Sequence, residues 1–190
     1  YGITDAISIE MFFYSLILFA GTLTSISSSS ISLEGKTINI TKALPINYKT
    51  ILNSKILYCY IIELPFFLIS EILFIIKFET TITYVIQILI LTIVTIFLSA
   101  VIGLIINLKY PKLDASNDTE IVKQSMSSMI SVFIGIVLFS LSIIGIVFLS
   151  TNINMNICFT LHLLLFIIIS IILYIILIKK GPKEYQNLNI

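Results

Sequence analysis

Charge is what this sequence has least of. Asp, Glu, Lys and Arg make up 11% of its 190 residues, while 58% are apolar and mean hydropathy is +1.11. A soluble domain is about 25% charged and about 45–50% apolar, so this chain has too little polar surface to cover a globule. The same balance excludes disorder, which needs low hydrophobicity and high charge. Arginine is absent, all 11 basic residues being Lys, and with it the bidentate phosphate clamp. A net charge of +1 leaves no electrostatic footprint for a nucleic acid. Cys59 and Cys158 both lie in apolar runs and read as small core hydrophobes. The only His, His162, has no companion ligands for a metal and reads as an interfacial histidine with its hydrogen bonds met. No base stands near a serine nucleophile. No catalytic residue, metal or cofactor is therefore expected.

What the sequence has in quantity is apolar, β-branched residue, with 44 Ile. Residues 11–33, 80–108 and 124–178 carry no charge, and 56–76 carries only Glu63 and Glu71. About 20 apolar residues cross a bilayer, so the 124–178 run holds two spans. The expected fold is all-α, a polytopic transmembrane bundle whose five spans cover about 9–30, 54–76, 81–108, 125–150 and 157–178. Helices are required because lipid offers the backbone no partner, and these runs lack the alternation of a barrel strand. Ten of the 11 Lys fall in the segments after the first and third spans and in the tail; Lys77 alone lies on the other side. The positive-inside rule then places the N-terminus outside and the C-terminus in the cytoplasm. Residues 1–190 form one transmembrane domain in the cell membrane. The chain begins at Tyr1, and a longer polypeptide is expected around it.

Two cytoplasmic segments, 31–53 and 109–124, are patterned. In the first, Leu33, Ile40 and Leu44 fall at i, i+7 and i+11, one stripe of a short amphipathic helix. Pro45 ends it, and a second helix restarts at Tyr48. In the second, Pro111 stops the third span, and Asn117 or Asp118 caps a new helix with Glu120 in its first turn.

Glu34, Gly35 and Lys36, then Leu44 and Pro45, then Lys55 opening the next span, resemble the ABC-2 type permeases, the membrane subunits of bacterial ABC exporters. Asn107, Pro111, Lys112, Leu113, Asp114, Glu120, Lys123, Gln124 and Ser125 look like the inner loop of one Firmicute branch of that family. A six-span permease unit with its first span removed has the topology read here. The resemblance implies a permease subunit of a bacterial plasma-membrane exporter that is not itself an enzyme. It implies a cytoplasmic ABC ATPase as partner, and a second permease half or copy. It also implies that Leu33, Glu34, Gly35, Lys36, Ile40, Leu44 and Pro45 couple the two subunits. Apart from the family, such a helix can dock in a groove of a soluble partner: Leu33, Ile40 and Leu44 supply buried area, with Glu34 and Lys36 at the rim. The turn after the fourth span is six residues, leaving little room for the re-entrant helices of some relatives, and no substrate is carried over.

Glu63 and Glu71 are expensive inside a span. Eight residues apart they differ by about 80° around a helix, so they share a broad face. Two readings stand: a polar stripe on a transport path with Pro65 as hinge, or protonated groups, Glu71 snorkelling out to pair with Lys77. Gln87 reads as a helix–helix hydrogen bond. Gly21, Ser25 and Ser29, then Ser99 and Gly103, then Ser131 and Gly135 form small faces that let helices approach. The alternatives in function are an intramembrane enzyme such as a membrane protease, which needs titratable pairs this chain lacks, and a non-catalytic immunity or structural membrane protein.

Overall fold

The computed structural model describes residues 3–24, 26–114 and 117–188. All regular structure among them is helical, with no strand. Seven α-helices follow in order: α1 Ile3–Leu23, α2 Ile38–Ala43, α3 Tyr48–Lys77, α4 Ile82–Lys109, α5 Asp118–Gln124, α6 Met126–Ser150 and α7 Met155–Asn187. Five stretches are long and apolar enough to cross a membrane, and they contain α1 from Ile9 onward and the whole of α3, α4, α6 and α7.

The helix starts follow from side-chain caps. Asn47, Thr81, Asn117, Ser125 and Asn154 each accept from a backbone N–H in the first turn of α3, α4, α5, α6 and α7, satisfying donors that a helix leaves unpaired. Asn117 is the cap of α5, and Glu120 stands in its first turn. Helix α4 ends at Lys109, before Pro111. Pro65 lies within α3, which continues through it to Lys77.

Helix α4 is the axis of the bundle: 61% of its span is buried, against 17–29% for the others. It packs on α1, α3, α6 and α7. Those outer helices turn Phe66, Ile72, Phe133 and Ile168 outward, and the polar residues Thr92, Thr95, Asn107, Ser127 and Ser131 are buried inside. This is the arrangement lipid requires, since apolar surface is content outside and hydroxyls need protein partners. Gly135 meets the backbone carbonyl of Thr22, so an added Cβ would collide with it; at Gly103 an added Cβ would lie 2.8 Å from the Ser28 amide. Both glycines are set by close backbone approach, and an alanine at either would force helices apart.

Three expectations about the helices need correction. The first span is not a helix over 9–30. It stops at Leu23, and a short 3₁₀ turn, Ile26–Ser28, follows. The hydroxyls of Thr24, Ser29 and Ser30 bond the backbone carbonyls three residues back, and such local bonds compete with the helical ladder. The small face of Gly21, Ser25 and Ser29 therefore does not run along one helix, and Ser25 lies outside the described residues. The last helix does not stop at 178 but runs on to Asn187, because Tyr185 and Gly181 are buried against the bundle.

Candidate functional site

The candidate coupling segment is built of two short pieces. A 3₁₀ stretch, Ser32–Thr37, is broken at Gly35, with φ 47° and ψ −129°, and α2 follows. A positive φ of this kind favours glycine. Leu44 is extended, with φ −69° and ψ 140°, as a residue before proline should be. One continuous amphipathic helix with Leu33, Ile40 and Leu44 on a single stripe is therefore incorrect. Ile38 is the residue turned inward, at 0% exposure, while Leu33, Ile40 and Leu44 are 43%, 67% and 47% exposed. Ile46, beyond Pro45, is exposed as well. Lys36 belongs to the 3₁₀ stretch, and its side chain lies outside the described residues.

Glu34 is not a free rim charge. Its Oε1 lies 2.5 Å from Lys55 Nζ on α3, and Oε2 accepts a 2.6 Å hydrogen bond from the Tyr185 hydroxyl on α7. Lys55 also donates to the Ser30 carbonyl at 2.9 Å. Lys42 on α2 donates to the carbonyls of Gln186, at 3.1 Å, and Leu188, satisfying the C-terminal end of α7. The segment is thus tied to α3 on one side and to the end of α7 on the other.

A second anchor comes from α4. Asn107, fully buried, accepts from the amides of Ile31 at 2.8 Å and Ser32 at 3.2 Å. It donates to the hydroxyls of Ser32, at 2.7 Å, and Ser127, at 3.1 Å. Two lone pairs and two N–H groups are a primary amide's whole capacity. The Ser32 hydroxyl accepts in turn from the Lys112 amide at 3.0 Å, and Lys112 Nζ pairs with Glu120 at 2.5 Å. The segment after α1, the segment after α4 and the tail therefore meet at one end of the bundle. Beside them opens a cavity of about 570 Å³, lined by Ser29, Leu33, Lys55, Tyr58 and Val122 among others.

Glu63 and Glu71 both face protein, being 5% and 1% exposed. Glu63 Oε2 accepts from Thr24 at 3.0 Å, near the end of α1. Glu71 Oε1 accepts from Thr92 on α4, and its Oε2 has no hydrogen-bond partner among the described residues. The two carboxyls are directed at different helices. Lys77 lies over the Phe78 ring, 5.7 Å from its centroid, and no ion pair to Glu71 forms among the described residues. Gln87 donates to the Asn156 carbonyl at 2.9 Å, joining α4 to the start of α7. Cys59 and Cys158 are free and buried. Among the described residues no group of three or more His, Cys, Asp and Glu could hold a metal.

Tyr185, Lys42 and Asn107 as anchors were not evident from the sequence. A tyrosine in a polar tail carries no pattern, and Asn107 looked like part of a loop motif. Its signal was position: an amide one turn inside an apolar helix must find protein partners.

The family model described as a membrane protein of 12 TMs matches residues 2–180. A search of curated proteins and a search of solved structures found no match. With five apolar helices and a family match along nearly the whole chain, this protein belongs to the family of 12-TM membrane proteins and is a multi-pass membrane protein.

Proposed function

We propose that the chain is the membrane subunit of an ABC exporter of the ABC-2 permease kind, in a bacterial plasma membrane, working with a separate cytoplasmic ATPase. Its end bearing ten Lys faces the cytoplasm, and a second permease half or copy completes the unit. The observation that carries this reading is the segment 32–46, which presents Leu33, Ile40, Leu44 and Ile46 outward on a base fixed by Glu34, Lys55 and Tyr185. A partner needs both properties. Exposed apolar anchors supply association energy, and a stiff base passes a push into the bundle instead of absorbing it. Glu34 has a role different from a rim contact: it joins the segment to α3 and α7, so force on the segment reaches both.

Hydrolysis belongs to the partner in this reading. Gly35, Lys36 and Thr37 match the end of a phosphate-binding loop, but Ser30 stands where its first glycine is required. Among the described residues the segment also follows no strand and opens no long helix.

The test is purification from native membranes together with ATP turnover in nanodiscs. An ATP-hydrolysing protein should co-purify with the wild type, and its turnover should rise when the chain is added. A stably inserted wild-type chain that neither retains an ATPase nor alters its turnover would contradict the reading.

A further inference from the structure

The outer half of the first span and the cytoplasmic segment follow each other in sequence but do not share a helix. Helix α1 stops at Leu23, and only 3₁₀ turns precede α2. A helix is stiff along its axis because each turn is bonded to the next, and an interrupted one loses that stiffness. A push on residues 32–46 therefore needs another element to reach the outer half of α1.

Helix α7 meets both pieces. At its inner end the Tyr185 hydroxyl donates to Glu34 Oε2 at 2.6 Å, and the Tyr185 ring lies 5.6 Å from that of Tyr48. Lys42 of α2 donates to the Gln186 carbonyl at 3.1 Å. At its outer end His162 Nδ1 lies 2.9 Å from the Tyr14 hydroxyl of α1. Phe159 stacks on the Tyr14 ring, with centroids 4.2 Å apart and planes 9° from parallel. Tyr14, Phe159 and Tyr185 are fully buried, so both ties are packed in place. From His162 to Tyr185 is about 35 Å of helix axis, slightly more than the hydrocarbon thickness of a bilayer. One helix thus grips the chain on both sides of the α1 break and on both sides of the membrane.

The other helices are less suited to this task. Helix α3 also has a tie at each end, Lys55 to Glu34 inside and Phe74 stacked on Phe13 at 3.9 Å outside. Pro65 lies between them, where it removes a bond of the helical ladder. Helix α7 has neither Gly nor Pro from Met155 to Lys180. Gly181 and Pro182 follow the Lys pair, and there the helix is wedged against α3 and α4: an added Cβ at Gly181 would lie 2.9 Å from Leu52 Cδ1 and 3.3 Å from Leu108 Cδ1. Helix α4 is the buried axis on which both α3 and α7 pack, and so it is the frame. Its Asn107 holds only the root of the segment, at Ile31 and Ser32.

We propose that α7 is a tie rod between the cytoplasmic segment and the outer half of α1, with Tyr185 and His162 as its two positioning residues. Movement of the segment then shifts α1 at the outer surface, beyond its own break. The source of that movement, an ATPase, rests on the exporter reading; the link itself does not, and its test needs no ATPase.

The test is hydrogen exchange, read by peptide mass spectrometry, on the intact chain in lipid nanodiscs. Tyr185→Phe loosens the inner tie. It should speed exchange at residues 33–37 about tenfold or more, as the loss of a hydrogen bond to a charged group implies, and at residues 9–14 about two- to threefold. Coupling is reciprocal, so His162→Leu should speed exchange at 33–37 about two- to threefold, while His162→Gln, which keeps a partner for Tyr14, should do so less. Residues 131–137 of α6 touch neither tie and should not change. Ile171→Gly combined with Ile172→Gly softens α7 at two exposed positions and leaves both ties intact. On that background Tyr185→Phe should still act at 33–37 and no longer at 9–14. No effect of Tyr185→Phe at 9–14 overturns the rod. So does an effect there that persists in full on the glycine background, or one that spreads equally to 131–137.

Discussion

Replacing Asn107 by Leu removes an acceptor that two buried amides share, those of Ile31 and Ser32. It also removes the donor to the hydroxyls of Ser32 and Ser127. Ile31, Ser32, Asn107 and Ser127 are all fully buried, so water cannot take over. A buried polar group left unpaired costs about 1–3 kcal/mol; two amides give about 2–6 kcal/mol, while the hydroxyls keep the Lys112 amide and the Ser125 hydroxyl as partners. Leu has the same branched skeleton and is the larger side chain, so no cavity is left. The loss should appear in two places. Thermal unfolding in detergent should fall by several degrees, and hydrogen exchange should accelerate at residues 31 and 32 more than in α4 itself. Asn107→Asp keeps the acceptor oxygen that both amides share and should preserve the protection of those amides better than Leu does. If Asn107→Leu leaves both the unfolding temperature and the exchange at 31 and 32 unchanged, the amide does not hold the segment and the reasoning fails.

Other predictions follow from the same geometry. Tyr185→Phe removes a hydrogen bond to a charged carboxylate and should cost about 1.5–3 kcal/mol, read as earlier proteolysis in the 32–46 segment. Gly35→Ala forces a side chain onto a positive φ and should lower stability by about 1–2 kcal/mol; a neutral result would refute the strained turn. Glu71→Gln keeps an acceptor for Thr92 and should express and unfold like wild type, whereas Glu71→Leu should strand the Thr92 hydroxyl and unfold earlier. Single cysteines at residues 39 and 117 should resist a membrane-impermeant maleimide in intact cells, while one at 154 should react; the reverse pattern would invert the proposed orientation.

The helices were legible because lipid makes the rule simple. A long uncharged run has to become a helix, and α3, α4, α6 and α7 stand where such runs stand. Asn117 and Pro111 marked their boundaries for local reasons, a cap and a missing backbone donor. The break after Leu23 was hidden because serine is apolar enough to remain in a hydropathy window, yet its hydroxyl can replace a helical bond. The extension of α7 was hidden because lysines end a hydrophobic run without ending a helix. Glu34 was misjudged for a different reason. A charge on a loop reads as solvated, and only the fold brings Lys55 and Tyr185 to its two oxygens. The pattern of Leu33, Ile40 and Leu44 identified residues that are exposed together but assigned them to a helix that Gly35 interrupts.

The central proposal is that the exposed face of the 32–46 segment meets an ATPase. A photo-cross-linking amino acid at Ile40, 67% exposed, tests it most directly in native membranes, with the same residue at lipid-facing Phe66 as reference. The account predicts an adduct between position 40 and an ATP-binding protein, absent at position 66 and lost when Leu44→Asp is added to the chain. Cross-linking from position 40 only to lipid, in a chain that inserts normally, would contradict it and make the segment an interfacial anchor.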